Sequence, residues 1–224
     1  MEGRTHLFCT LMYLGAGAFV AFKAGAFGLF DSVAFLIAAM EGALLPDVDA
    51  PKSLGTKIKL AGILKYAAVF AKTIAYITKF GLYLVLKLVL WMFKKRGAEH
   101  RGIMHSFWGL ILVCAFWLAI GYGALSILNS TKYFKDLLFI ILGLLLGYLM
   151  HLWHDALTLS GVKFTKAFKI SGWLKTGKHE WLLQLFFLIA SSFAAHVANS
   201  VSPLHGAVAL ILAIPASYLF FGTS

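Results

Sequence analysis

Long apolar segments, separated by polar or basic connections, dominate this chain. Six of them are candidates for membrane-embedded helices: residues 7–30, 32–46, 107–128, 137–157, 181–199 and 204–221. The alternation of apolar and polar residues that barrel strands require is absent. Because lipid offers no partner to a bare backbone group, such runs are expected to be helical. The pattern predicts an all-α integral membrane protein of about five to six membrane-embedded helices, in a single domain over residues 1–224.

Residues 60–93 have a different pattern. Lys65, Lys72 and Lys79 recur every seven residues, and Lys87 follows eight residues later, within otherwise apolar sequence. Seven residues are close to two helical turns, so these lysines share one face. This favours a long amphipathic helix in the headgroup region, and the alternative is a hairpin with snorkelling lysines, bent near Gly81. A solvated lysine face without a function also accounts for the lysines.

Composition places the chain among membrane proteins, since 61% of its residues are hydrophobic and only 13% are charged. The formal charge of +11 would suggest nucleic acid in a soluble protein, but here the basic residues cluster between apolar segments. Membrane lipids are therefore the expected partners, and no nucleic acid is expected. Cys9 and Cys114 lie inside apolar runs without a CxxC spacing, so neither a disulfide framework nor a thiolate metal site is expected.

The basic clusters also predict an orientation. They lie in residues 52–59, 94–101 and 163–178. If residues 60–93 cross the membrane an even number of times, all three clusters fall on the side of the N-terminus. The positive-inside rule makes that side cytoplasmic. Residues 158–180 are then a basic cytoplasmic loop of a protein in the inner membrane.

His151 and Asp155 are the strongest candidates for chemistry. They are four residues apart in a helical segment, so their side chains project from one face and can hold one metal ion. An unpaired buried carboxylate is costly, which favours ligation over a purely structural role. His154 points about a third of a turn away and suits a catalytic, substrate-binding or supporting role; a bond to a backbone carbonyl is the alternative.

Two further motifs lie at segment ends. In LLPDVDAPKS, Asp47 and Asp49 follow a helix-ending proline. Such carboxylates can bridge two cations, or one can ligate while Asp49 acts as a base or orients a histidine. The alternative is an acidic helix-end turn with an N-cap, and the motif alone is a weak signal for metal. In HRGIMHS, His100 and His105 flank a glycine that permits a bend. Arg101 is suited to clamp a phosphate, and the alternative is one more charge of the positive-inside pattern.

The predicted topology brings these residues to one membrane face, although none of them entered the charge argument. The candidate metal ligands are His6, Asp47, Asp49, His100, His105, His151 and Asp155. The candidate catalytic residues are Asp49, Arg101 and His154. Residues that would contact the substrate or support the ligands are Lys52, Ser53, Ser106, Thr158 and Glu180. Glu180 has an alternative role, because a carboxylate at a helix start complements the helix dipole.

Taken together, RTH at 4–6, LLPDVDAPKS at 44–53, HRGIMHS at 100–106, GYLMHLWHDALTLSGV at 147–162 and TGKHE at 176–180 resemble the YdjM-like family. That family is described as LexA-regulated or membrane-bound metal-dependent hydrolases, and is considered a distant relative of zinc-dependent phospholipase C. The resemblance implies that the ligand candidates above occupy the polar motif positions of the family. The further His and Glu ligands of the phospholipase site have no counterpart here, which favours one or two ions over three.

The expected function is a membrane-embedded metal-dependent hydrolase. Mixed histidine and carboxylate ligands suit zinc, with manganese or iron as alternatives. The expected substrate is an anionic phosphoester of a lipid or lipid-linked compound, cleaved at the cytoplasmic face. The alternatives are a divalent metal-ion transporter and a metal-binding membrane protein without catalysis. Nothing in the sequence predicts the oligomeric state.

Overall fold

The structure is a computed structural model that describes residues 3–47, 73, 77, 80–81, 105–159, 162–163, 169–175 and 178–222. Within these residues the helices are α1 (Gly3–Lys23), α2 (Leu29–Leu44), α3 (Phe107–Ile127), α4 (Phe134–Ala156), α5 (Glu180–Ser200) and α6 (Pro203–Phe221). All six are long and apolar enough to cross a membrane. The predicted all-α membrane fold is confirmed.

Short elements fill some of the connections between these helices. Two single-turn 3₁₀ helices, Leu45–Asp47 and Thr131–Tyr133, follow α2 and precede α4. Val162–Lys163 pairs antiparallel with Lys169–Ile170 in the loop between α4 and α5. These two-residue strands leave the all-α character of the domain unchanged.

The first span was predicted over residues 7–30, and its predicted C-terminal end was wrong. α1 ends at Lys23, and Gly25 takes a positive φ of 70° in the turn that follows. A glycine adopts this backbone conformation without the steric cost that a side chain brings. Asp31 then accepts a hydrogen bond from the Gly28 N–H at 2.9 Å, which fixes the start of α2 at Leu29, three residues before the predicted start. The turn between α1 and α2 is formed by glycines and one aspartate, so the apolar pattern alone did not reveal it.

α2 and α4 approach each other closely because glycines line their contact. A Cβ added to Gly147 would collide with the Ala39 carbonyl, and one added to Gly143 would collide with the Phe35 carbonyl. From the other side, a Cβ on Gly42 would lie 2.8 Å from the Tyr148 backbone nitrogen. Small residues allow this contact of backbone on backbone, which is the usual basis of helix association in lipid. The pair forms the centre of the bundle.

α1, α5 and α6 complete the bundle around this pair. Cys9, Leu183 and Phe187 are fully buried in a core that also includes Met150 of α4. The Tyr13 hydroxyl donates a hydrogen bond of 2.7 Å to the Leu210 carbonyl, which joins α1 to α6. α3 packs on α4 at the other side of the bundle.

The alternating direction of the helices places one end of each of the six on the same membrane face. α1, α3 and α5 begin there, and α2, α4 and α6 end there. The loop after α4 is fixed to the same face, since the Leu174 N–H donates to the Leu157 carbonyl at 3.3 Å and the Trp173 N–H donates to the Phe221 carbonyl at 3.0 Å. The predicted basic loop, residues 158–180, is described only in part, and its described residues lie on this face.

The predicted interfacial helix, residues 60–93, lies outside the described residues apart from 73, 77, 80 and 81, which are helical. Gly81 lies beside the Phe116 ring, in the middle of α3, so closely that an added Cβ would come within 2.7 Å of that ring. The choice between an interfacial helix and a hairpin stays a prediction. Asp47 Oδ1 and His105 Nε2 lie 3.3 Å apart, so α2 ends and α3 begins at the same face, as an even number of crossings by residues 60–93 requires.

Candidate metal centre

Five of the predicted ligands converge where four helix ends meet. His6 comes from the first turns of α1, Asp47 follows α2, His105 precedes α3, and His151 and Asp155 come from the end of α4. They form two groups of three, each with its ligand atoms within 4.8 Å of one another: His6 with His151 and Asp155, and Asp47 with His105 and His151. His151 belongs to both groups. The sequence had placed these residues on one face, and the structure brings their side chains into one cluster.

The orientation of the His151 ring is set by the end of α2. The Nδ1 atom of His151 lies 2.7 Å from the Ala43 carbonyl oxygen. Carbonyls in the last turn of a helix have no partner within the helix, so this oxygen is available as an acceptor. Because a carbonyl only accepts, Nδ1 carries the hydrogen, and in the neutral ring Nε2 presents its lone pair. This arrangement is typical of a histidine prepared to bind a metal through Nε2.

The Nε2 atom of His151 faces two carboxylates. It lies 3.5 Å from Oδ2 of Asp155 and 3.8 Å from Oδ1 of Asp47. The close approach to Asp155 confirms that the two residues share a helix face. Three lone-pair donors that face one another repel unless a cation lies between them. The cluster therefore has the electrostatics of a cation site.

The two aspartates link the remaining histidines to the same cluster. Oδ1 of Asp155 lies 3.2 Å from Nε2 of His6, and Oδ1 of Asp47 lies 3.3 Å from Nε2 of His105. Around a tetrahedral ion with bonds of about 2.0–2.1 Å, neighbouring ligand atoms are roughly 3.3–3.5 Å apart. The separations in the cluster are close to these values. The residues present thus fit one or two small divalent ions.

A network of protonated histidines is a poorer description of the cluster. The rings of His6 and His151 are stacked, with centroids 4.0 Å apart and planes 16° from parallel. Both are fully buried, and two imidazolium charges at this separation would repel strongly in a medium of low dielectric. Within the described part of the chain, neither ring nitrogen of His6 and not the Nε2 atom of His151 has a hydrogen-bond partner. Metal coordination would satisfy these Nε2 atoms without adding protons.

His154 lies next to the cluster but belongs to neither group of ligands. Its ring centroid is 5.6 Å from that of His6 and 5.2 Å from that of Phe187. The side chain is fully buried, and both ring nitrogens lack a hydrogen-bond partner among the described residues. The alternative of a backbone carbonyl partner is therefore not seen in that part of the chain. A catalytic role for His154 stays a prediction.

Three predicted supporting residues make contacts that hold helix ends near the cluster. The Thr158 hydroxyl donates to the Asp155 carbonyl at 2.7 Å, and Ser106 caps α3 by accepting the Gly109 N–H at 3.3 Å. Glu180, the first residue of α5, accepts a 2.5 Å hydrogen bond from the Thr5 hydroxyl. Contact of any of the three with a substrate stays a prediction.

Sequence reasoning missed two residues that support the cluster. Thr5 precedes His6 and ties α1 to α5 through Glu180, and the Gln184 amide donates to the Thr5 hydroxyl at 3.1 Å. The four-residue spacing of Glu180 and Gln184, which places both on one helix face, was the signal available for this contact. The predicted site residues Asp49, His100, Arg101, Lys52 and Ser53 lie outside the described residues.

Comparison with known proteins matches the chain to a protein family. A family model described as "YdjM inner membrane protein" matches residues 1–223. No curated protein and no solved structure matches. The family match covers nearly the whole chain, including each helix and each ligand candidate described above.

Proposed function

The chain belongs to the YdjM inner membrane protein family, and we propose that it is a metal-dependent hydrolase that cleaves a phosphoester of a lipid or lipid-linked substrate. The proposed centre consists of His6, Asp47, His105, His151 and Asp155, with one or two divalent ions, zinc being preferred. The proposed site faces the cytoplasm.

One observation carries the proposal. The Nδ1 atom of His151 lies 2.7 Å from the Ala43 carbonyl oxygen, and its Nε2 atom faces Asp155 and Asp47 at 3.5 and 3.8 Å. Both distances exceed the roughly 2.7–3.2 Å of an N–H···O hydrogen bond, and Nε2 has no hydrogen-bond partner among the described residues. A metal-binding histidine usually donates its other nitrogen to a carbonyl or carboxylate, which fixes the ring and its tautomer. His151 therefore has the arrangement of a metal ligand whose ring is oriented by a hydrogen bond at its other nitrogen.

The position of the centre and its surroundings support hydrolysis rather than metal binding without catalysis. When bound, a divalent ion supplies Lewis acidity and lowers the pKa of water in its coordination sphere. The ligands lie at helix ends, which is the depth of lipid headgroups, and Lys175 and Lys178 are exposed on the same face. Basic residues at this depth attract anionic headgroups. A phosphoester at the membrane surface is therefore the substrate class that fits.

The residues of the chain have distinct proposed roles. Asp155 places Oδ1 near His6 and Oδ2 near His151, so it would hold an ion together with these histidines. His105 is the least buried of the three ligand histidines, with 11% of its side chain exposed, and lies on the side from which a substrate can approach. His154, beside His6 and without a hydrogen-bond partner in the described residues, is the proposed proton carrier.

A hydrolysis assay with metal-loaded protein tests the proposal. Protein in nanodiscs would be loaded with zinc, manganese or iron, and given phospholipid or a lipid-linked pyrophosphate. We expect phosphate or headgroup release by the wild type and by His205→Ala, a control at the opposite end of the bundle. His151→Ala and Asp155→Asn should lose turnover. Two results together would contradict the hydrolase: the cluster binds metal but no phosphate or headgroup is released from any phospholipid or lipid pyrophosphate, and the protein carries metal into proteoliposomes. They would show that the protein is a metal transporter.

A further inference from the structure

An apolar cavity lies on the opposite side of α4 from the candidate metal centre. It is a cleft of about 800 Å³ between α4 and α6, and α1 forms its floor with small residues that include Gly17 and Ala21. Trp153 lines the cleft two residues after His151, and two helical residues turn by about 200°. Ile211, on the α6 wall, is 66% exposed, so the cleft opens to the surrounding bilayer.

The lining of the cleft offers nothing to a polar ligand. No charged side chain is among its described residues. Its two side-chain polar atoms are already used: the Tyr13 hydroxyl donates to the Leu210 carbonyl at 2.7 Å, and Nε1 of Trp153 donates to the Ser217 hydroxyl oxygen at 3.0 Å. A polar molecule placed here would lose its hydrogen bonds to water without replacement. The occupant must be hydrocarbon.

The length of the cleft distinguishes a lipid chain from a protein helix. Residues 13–24, 142–153 and 203–214 contain its lining on α1, α4 and α6, and each stretch is about 17 Å long at 1.5 Å per residue. At the end nearer the metal centre, α4 and α6 meet through the Trp153–Ser217 bond and the Tyr218 ring, whose centroid is 5.9 Å from that of Trp153. A spanning helix needs about 30 Å, whereas a chain from one leaflet extends about 15 Å.

We infer that this cleft binds one acyl chain of a phospholipid from the leaflet opposite the metal centre. Its open end is formed by Ala24, Phe27 and Pro203, where α1 ends and α6 begins. Lys23, the residue before Ala24, is exposed at the same end of the bundle, with its Nζ 5.7 Å from the centroid of the Phe19 ring, and a basic side chain at this depth attracts anionic headgroups. The bound chain fills the space between α4 and α6. This site does not depend on the proposed hydrolase activity.

Two glycines of α1 provide a matched test. An added Cβ at Gly17 would meet only Leu210 at 4.0 Å, and one at Gly15 would meet nothing within 4 Å. Gly17 lines the cleft and Gly15 does not. Native mass spectrometry after exchange into lipid-free detergent should show one retained phospholipid on the wild type and on Gly15→Leu. Gly17→Leu should lose it, because its side chain occupies the space of the acyl chain.

A second measurement reports on the cleft in a bilayer. Phospholipids with brominated acyl chains quench nearby tryptophan, and the contribution of Trp153 is the difference between the wild type and Trp153→Phe. We expect this contribution to be quenched in the wild type and in Gly15→Leu, and protected in Gly17→Leu. Ala207→Leu, which fills the cleft from α6, replaces Gly17→Leu if that variant does not fold. Equal lipid retention by all variants, or equal quenching of Trp153, would overturn the inference.

Discussion

Gly147→Ala tests whether the contact between α2 and α4 sets the geometry of the metal centre. The Cβ of alanine would fall on the Ala39 carbonyl, where the two backbones already touch. The helices must separate by roughly 1 Å to restore an ordinary contact, because packed interiors have no slack to absorb a methyl group. α2 leads to Asp47, and α4 carries His151 and Asp155. The substitution therefore moves one part of the ligand set relative to the other.

The expected effect has two components. Overpacking of this kind costs about 1–3 kcal/mol, and a chain of this size loses roughly 2–4 °C in Tm for each kcal/mol. We therefore expect a Tm decrease of about 4–8 °C for a loss of about 2 kcal/mol. Metal ligands must lie within about 0.2 Å of their ideal distances, so a shift of roughly 1 Å should weaken zinc binding at least about tenfold.

Thermal unfolding in detergent and zinc titration would measure the two components. Gly123→Ala is the matched control, since an added Cβ there meets nothing within 4 Å on α3. It should keep the zinc affinity of the wild type and a Tm at least as high, because alanine favours a helix more than glycine does. If Gly147→Ala also keeps both, the α2–α4 contact does not set the ligand geometry, and the reasoning fails. If only stability falls while zinc affinity is unchanged, the ligands are held by other contacts than this one.

Two further substitutions test the contacts beside the cluster. Thr5→Val removes a buried hydroxyl that donates to Glu180. A hydrogen bond to a charged group contributes about 1.5–3 kcal/mol, so the Tm should fall by several degrees. Thr5→Ser keeps the hydroxyl and should keep a Tm close to that of the wild type. Ser106→Ala removes the N-cap of α3 and should lower the free energy of unfolding by about 1 kcal/mol, whereas Ser106→Thr should lower it much less. Equal Tm values for the two Ser106 variants would show that the cap does not contribute to stability.

Most of the helical framework could be predicted from the apolar pattern, because length and hydropathy alone decide which segments can be buried in lipid. The predicted segment at residues 137–157 and α4 (Phe134–Ala156) differ only at their ends. The exception was the first turn, where the apolar run continues through Ala24 and Phe27 although the helix has ended. Backbone conformation at Gly25, rather than hydropathy, ends α1.

The pairing of His151 with Asp155 could be predicted, but the geometry of the cluster around them could not. A four-residue helical spacing is enough to place His151 and Asp155 side by side. The role of the Ala43 carbonyl depends on where α2 ends and on the glycine contact that brings α4 next to it, which are tertiary facts. The same holds for the link from Thr5 to Glu180, which joins residues far apart in sequence.

The metal content of the purified protein tests the central claim most directly. His151 belongs to both groups of ligands, so His151→Ala should abolish binding, whereas His205→Ala, at the far end of the bundle, should change nothing. Elemental analysis of folded protein equilibrated with zinc should give one or two ions per chain for the wild type and for His205→Ala, and none for His151→Ala. A folded wild type that binds no divalent ion, or a His151→Ala variant with undiminished metal content, would contradict the account.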